Sequence, residues 1–139
     1  MSDKLETESV SSLLSHQTQE STISAITYAT EQLGINDETS FLLLDLRDSD
    51  DYDLYHIKES LNFPAPNISR DRIIPELFRF KNKEDKLIIV YTMDERSGTQ
   101  AAQLFSQKGY DNIYLISGGI EDFLEQFPEL IEGIKIPSP

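Results

Sequence analysis

The sequence feature that most constrains the fold is the stretch from residue 86 to residue 103. Residues 87–91 (LIIVY) form a continuous, mainly β-branched apolar run, typical of a parallel strand that is covered on both faces. Ser97, Gly98 and Thr99 then offer capping groups and permissive backbone, which predicts a helix that begins near Ser97 and runs to residue 107. A strand that feeds a helix in this way directs backbone N–H groups into the intervening loop. The stretch therefore predicts an anion or nucleophile site.

The same alternation extends through most of the chain. Residues 41–45 and 112–116 are two further apolar runs, and helical patterns occupy residues 22–33, 75–80 and 120–127. Strands that alternate with helices predict an α/β domain, with a central, mostly parallel sheet of about five strands and helices on both faces.

Composition divides the chain into three parts and argues against two classes of partner. Residues 1–20 are polar and predict a flexible acidic tail, residues 21–133 form the domain, and residues 134–139 form a C-terminal tail. The formal charge of −13 argues against nucleic acid and anionic membranes as partners, and it permits a protein with a basic surface. No apolar run approaches the roughly 20 residues of a transmembrane helix, so we expect a cytoplasmic protein. The chain has no cysteine, which excludes thiol chemistry.

Two segments of the chain resemble the rhodanese-like domain. The first, LLLDLRDSDDYDLYHIKESLNFP, is similar to the signature in which Asp-x-Arg ends a strand and His-Ile precedes the next strand. The second, IIVYTMDERSGTQAAQLFSQKGYDNIYLISGGIEDF, resembles the active-site strand, loop and helix of that family. The resemblance implies a rhodanese-like fold. It places the following residues at signature positions: Asp45, Arg47, Tyr52, His56, Ile57, Asn62 and Pro64.

The chain departs from this family at the catalytic position. With Ala101 and Ala102 as the anchor, the sulfur-carrying cysteine of a rhodanese falls on Thr92. A threonine hydroxyl cannot carry a persulfide and is a poor nucleophile without a neighbouring base. Two carboxylates, Asp94 and Glu95, also stand inside the loop and would repel an anionic substrate. The sequence therefore predicts a protein without sulfurtransferase or phosphatase activity.

A narrower resemblance is to a forty-one-kilodalton centrosomal and ciliary protein family, whose rhodanese-like domain also lacks the catalytic cysteine. It is carried by three short segments, which are Asp94-Glu95-Arg96, Ser117-Gly118-Gly119 and Phe127-Pro128-Glu129. This resemblance implies a non-catalytic adaptor at the centrosome, basal body or cilium, linked to tubulin glutamylation.

The candidate site is the vestigial loop, for which we predict binding to a basic protein surface without a metal or cofactor. It comprises Thr92, Met93, Asp94, Glu95, Arg96, Ser97 and Gly98. Asp45 and Arg47 support the site, most simply as a structural ion pair, and His56 most simply fixes the fold.

Two enzymatic alternatives stay open at this point. One is a hydrolase or phosphotransfer enzyme that uses Asp94, Glu95 and His56, with Mg²⁺ held by Asp45 and the two loop carboxylates. The other is a sulfurtransferase that borrows a cysteine from a partner.

Overall fold

The predicted apolar runs form the strands of a parallel sheet. In the computed structural model, which describes residues 40–137, the strands are β1 (Ser40–Asp45), β3 (Leu61–Asn62), β4 (Lys86–Tyr91) and β5 (Ile113–Leu115), in the spatial order β3-β1-β4-β5. All neighbours are parallel, and β1 pairs with β4 over its whole length, from Ser40 opposite Lys86 to Asp45 opposite Tyr91. The α/β class is confirmed. In the described part of the chain the central sheet has four strands rather than about five.

Two further short strands pair outside this sheet. β2 (His56–Ile57) lies antiparallel to β6 (Ile131–Glu132), with His56 opposite Glu132. The bridge joins the segment after the first strand to the end of the domain, a pairing for which the sequence gives no local signal.

Helices connect the parallel strands. They are α1 (Ser49–Leu54), α2 (Pro66–Ser69), α3 (Pro75–Phe80), α4 (Glu95–Gln107) and α5 (Gly119–Gln126), followed by a 3₁₀ turn at Pro128–Leu130. Proline occupies the first position of α2 and of α3, where the missing N–H would have had no helical partner in any case. Among residues 40–137, no helix is both long and apolar enough to span a bilayer.

Alternate residues of β1 and β4 face two hydrophobic cores, one on each side of the sheet. Leu43, Ile89 and Tyr91 pack with α5 on one side. Leu44 and Val90 pack with α2, α3 and α4 on the other. Helices therefore cover both faces, as predicted, and leave the carboxyl ends of the strands as the open edge. The predicted tail 1–20 and helix 22–33 lie outside the described residues.

Candidate functional site

The segment that connects β4 to α4 is much shorter than the sequence predicts. α4 begins at Glu95, with Asp94 as its N-cap, so only Thr92, Met93 and Asp94 separate the strand from the helix. The prediction that the helix begins near Ser97 is wrong by two residues. Four of the seven residues assigned to the vestigial loop are helical.

The Asp94 carboxylate binds the N-terminus of its own helix. Its Oδ1 accepts a hydrogen bond from the Ser97 N–H at 3.0 Å, and the Ser97 hydroxyl lies 2.8 Å from the same oxygen. The Ser97 backbone N–H, followed by its hydroxyl, lowers the pKa of Asp94. A helix N-terminus is where an anionic substrate would bind. Here an internal carboxylate takes that place.

Thr92, which the resemblance to the rhodanese-like domain places at the cysteine position, directly follows β4. Its side chain is buried, with a residue exposure of 6%. The hydroxyl donates to the Asp94 carbonyl at 2.9 Å and lies 3.0 Å from the Ser97 hydroxyl. Both contacts are local, and neither supplies a base that could activate the oxygen as a nucleophile.

A turn at Gly118 and Gly119 contacts the loop through hydrogen bonds and close backbone packing. Glu95 Oε1 accepts from the Gly118 N–H at 2.5 Å, and the Thr92 carbonyl accepts from the Ile120 N–H at 2.9 Å. Gly119 has a φ of +66°, and a Cβ there would lie 2.5 Å from the Met93 carbonyl oxygen. The Ser-Gly-Gly segment noted in the sequence is therefore a contact surface for the loop, which the sequence did not indicate.

Asp45 and Arg47 form the buried ion pair that the simpler interpretation predicted. Arg47 Nη2 lies 2.8 Å from Asp45 Oδ2, and the two side chains are 3% and 0% exposed. Burial alone would lower the pKa of Arg47, but its hydrogen bond to Asp45 and the charge of Asp45 outweigh burial and raise that pKa. The Asn62 amide donates to the carbonyls of both residues, so this pair fixes the end of β1.

The sequence predicts Tyr91 only as part of an apolar strand, yet its hydroxyl contacts polar groups of two residues near β2. The Ile57 N–H donates to it at 3.0 Å, and the Ser60 hydroxyl lies 3.1 Å away. Burial, followed by the charge of Asp45, raises the pKa of Tyr91 well above its ordinary value. The feature of the sequence that could have indicated these polar contacts is a tyrosine at the end of an otherwise aliphatic strand.

His56 makes all of its side-chain contacts within the described domain. Its ring stacks on Tyr52, with the centroids 3.8 Å apart. Nδ1 lies 2.7 Å from the Tyr52 carbonyl oxygen, and Nε2 lies 3.0 Å from the Glu132 carboxylate. Both ring nitrogens therefore face acceptors within the domain, which leaves neither to take a proton from a substrate.

The predicted enzymatic cluster does not form. Asp45 is paired with Arg47, Asp94 caps α4, Glu95 binds Gly118, and His56 contacts Glu132. Within residues 40–137, no group of three or more His, Asp or Glu side chains could hold a metal ion. The hypothesis that Mg²⁺ binds Asp45 and the two loop carboxylates is wrong because each carboxylate is directed at a different partner.

A groove of about 340 Å³ opens beside Thr92, at the carboxyl edge of the sheet. It is bordered by the β1–α1 connection, the start of α2, the Thr92–Met93 segment and one face of α4. Asp48 and Asp51, from the acidic run at residues 48–53, contribute to its rim, whereas Glu95 and Arg96 do not line it. This run therefore contributes to the candidate site.

Comparison with known proteins identifies a matching family model and named relatives. The family model for the rhodanese-like domain matches residues 28–126. The centrosomal protein of 41 kDa from Xenopus tropicalis is 37% identical over 95 residues, which are 67% of this chain and 26% of that protein. The human protein of the same name is 38% identical over 96 residues, with the same shares. The chain spans about a quarter of the length of these curated relatives.

A solved structure shows the same fold. The rhodanese-like domain of an Anabaena protein, determined by NMR, superposes with a TM-score of 0.57 at 21% identity. The match covers 85% of this chain and 80% of that one. At this identity the likeness concerns the fold alone.

Proposed function

The chain belongs to the rhodanese-like domain family, and we propose that within this family it is a catalytically inactive protein-interaction module. The observation that carries the proposal is Thr92 at the end of β4, where the resemblance places the sulfur-carrying cysteine. A persulfide enzyme or a cysteine phosphatase needs a thiolate there, and the chain contains no cysteine.

The surroundings of Thr92 support the same proposal. In an active site of this kind, the helix N-terminus would stabilise an anion. Here the Asp94 carboxylate already accepts from the Ser97 N–H, and Glu95 Oε1 accepts from the Gly118 N–H. An incoming anion would have to displace the Asp94 carboxylate from the Ser97 N–H. The negative charges of Asp94 and Glu95 would also repel it.

The proposed setting is the centrosome, basal body or cilium, where the module acts as an adaptor linked to tubulin glutamylation. The similarity to centrosomal proteins of 41 kDa supports this setting. A fluorescent fusion of the chain should concentrate at a centrosomal marker. A fusion that stays diffuse beside correctly labelled centrosomes would contradict the setting but not the lack of catalysis.

Sulfur transfer from thiosulfate to cyanide tests the lack of catalysis. We expect none from the natural chain, and little from Thr92→Cys, because Asp94 and Glu95 favour the neutral thiol and repel thiosulfate. Adding Asp94→Asn and Glu95→Gln should raise the rate above that of the single variant. Asparagine also caps helices well, so this triple variant keeps α4 intact.

Circular dichroism is used to check that each variant is folded. Sulfur transfer by the natural chain above a buffer blank, retained after repurification, would overturn the proposal. A vigorously active Thr92→Cys variant would show that the loop still binds anions and that the electrostatic argument is wrong.

A further inference from the structure

The groove beside Thr92 has the composition of a binding site for a long cationic side chain. We infer that it receives one lysine or arginine side chain from a protein partner. The inference rests on the proposed function, since it names the chemistry of the partner that the inactive module would bind. The sequence predicts that the loop with Asp94 and Glu95 attracts a basic partner. The inference assigns that attraction to Asp48 and Asp51 instead.

The walls of the groove suit the aliphatic part of such a side chain. Leu46, Ala65, Met93 and Leu104 contribute apolar surface from four separate segments of the chain. Lysine and arginine bury their methylene groups along apolar surface while the charged end stays at the polar rim. The volume of about 340 Å³ is at the low end of ligand pockets, which fits one side chain rather than a large cofactor.

The rim supplies the charge that selects a cation. Asp48 is exposed and Asp51 half-buried, and both border the groove. Arg47 also borders it. Its Nε and Nη2 contact the buried Asp45 carboxylate, which offsets its formal charge, while its buried Nη1 makes no hydrogen bond within residues 40–137. The two rim carboxylates therefore give the groove a net negative formal charge, which opposes the anionic substrates that rhodanese chemistry requires.

Charge also decides between possible occupants. Residues 1–39 contain seven acidic residues and one lysine, so the chain's own N-terminal segment would be repelled by this rim. A second copy of the chain, with a formal charge of −13, is disfavoured for the same reason. A basic segment of a different protein fits best.

The smallest probe of this inference is a single capped residue. N-acetyl-arginine methylamide is titrated into the ¹⁵N-labelled full chain, beside N-acetyl-citrulline methylamide, which has nearly the same shape without the charge, and N-acetyl-glutamate methylamide. We expect the arginine probe to shift the amides of Leu46, Asp48, Met93 and Gln100, with a dissociation constant on the order of millimolar. The other two probes should leave these amides unshifted.

Matched variants test the role of the rim. Asp48→Asn with Asp51→Asn should weaken arginine binding by about three- to tenfold. Asp50→Asn with Asp53→Asn removes the same amount of charge from the same acidic run at residues that do not line the groove, and should leave the affinity unchanged. Gln100→Glu, which adds a carboxylate to the groove, should tighten binding, whereas Gln103→Glu on the same helix should not.

Equal binding of the arginine and citrulline probes would overturn the inference. Amide shifts confined to other surfaces would also overturn it, and so would an equal loss of affinity in both double aspartate variants. Any of these results, together with absent sulfur transfer by the natural chain, would sink the inference and leave the proposed function standing. Sulfur transfer by the natural chain would instead overturn the proposed function itself.

Discussion

Removing one buried oxygen with Tyr91→Phe should destabilise the domain measurably. The Tyr91 side chain is fully buried, and its hydroxyl accepts from the Ile57 N–H at 3.0 Å. Phenylalanine keeps the ring and leaves no large cavity, so the main loss is the acceptor of a buried N–H group. The Ser60 hydroxyl still donates to the Ile57 carbonyl at 2.7 Å and stays satisfied.

The expected size of the effect follows from these contacts. Leaving a buried donor unsatisfied costs about 1–3 kcal/mol of unfolding free energy. In a domain of this size, that loss corresponds to a fall in melting temperature of about 5–15 °C. A typical domain has only about 5–15 kcal/mol of stability in total, so the variant should stay folded at 25 °C.

Urea unfolding, followed by circular dichroism, measures the change, and Tyr110→Phe provides the control. Tyr110 is also largely buried and packs edge-on against Phe105, with the centroids 5.0 Å apart. Its hydroxyl makes no hydrogen bond within residues 40–137, so the same deletion should change stability by less than about 0.5 kcal/mol. Equal effects of the two variants would refute the argument that the Tyr91 hydroxyl stabilises the domain by accepting from the Ile57 N–H.

Three further results are expected. Gly119→Ala should destabilise the domain more than Gly109→Ala, by melting temperature, since both glycines have positive φ but only Gly119 has backbone within 4 Å of an added Cβ. Asp94→Ala should lower the melting temperature at neutral pH. Because the pKa of Asp94 is lowered in the folded state, the stabilisation by its carboxylate is fully present above the ordinary pKa and is lost as the pH falls through the folded-state pKa. The melting temperatures of the natural chain and the variant should therefore converge in acid. Deleting residues 1–20, which offer little apolar surface, should move the melting temperature by no more than a few degrees; loss of cooperative unfolding would contradict this.

The strands could be predicted from the sequence because their signal is local. The runs at residues 41–45, 87–91 and 112–116 differ from the observed β1, β4 and β5 by at most one residue at either end. A buried parallel strand must be apolar on both faces, and few other elements produce so short and continuous a run.

The start of α4 could not be predicted because the sequence offers two good caps. Asp94 and Ser97 both suit an N-cap, and local propensity does not choose between them. In the structure Asp94 caps the helix, and Glu95, in its first turn, contacts the Gly118 N–H, a partner from a distant part of the chain. The candidate site is therefore a short turn with internal hydrogen bonds, whereas the sequence predicts an open loop of seven residues.

The groove was missed for a similar reason. Asp48 and Asp51 belong to a run of acidic residues that reads as a solvated helix start. Only the fold brings two members of that run to the same groove as Met93 and Leu104. Sequence spacing identifies which residues share a helix, but not which residues of other elements they meet.

The order of strands in the sheet constrains how the chain can fold during synthesis. β1 is made before β4, the partner that matches its whole length, whereas β3 pairs with only two residues of β1. Until the ribosome has released residue 91, the apolar β1 lacks most of its pairing, and β2 lacks β6 until residue 132 has emerged. Parallel pairing between distant segments closes large loops and slows folding. The nascent chain therefore exposes the apolar β1 segment until β4 has emerged, an interval in which a chaperone would bind it.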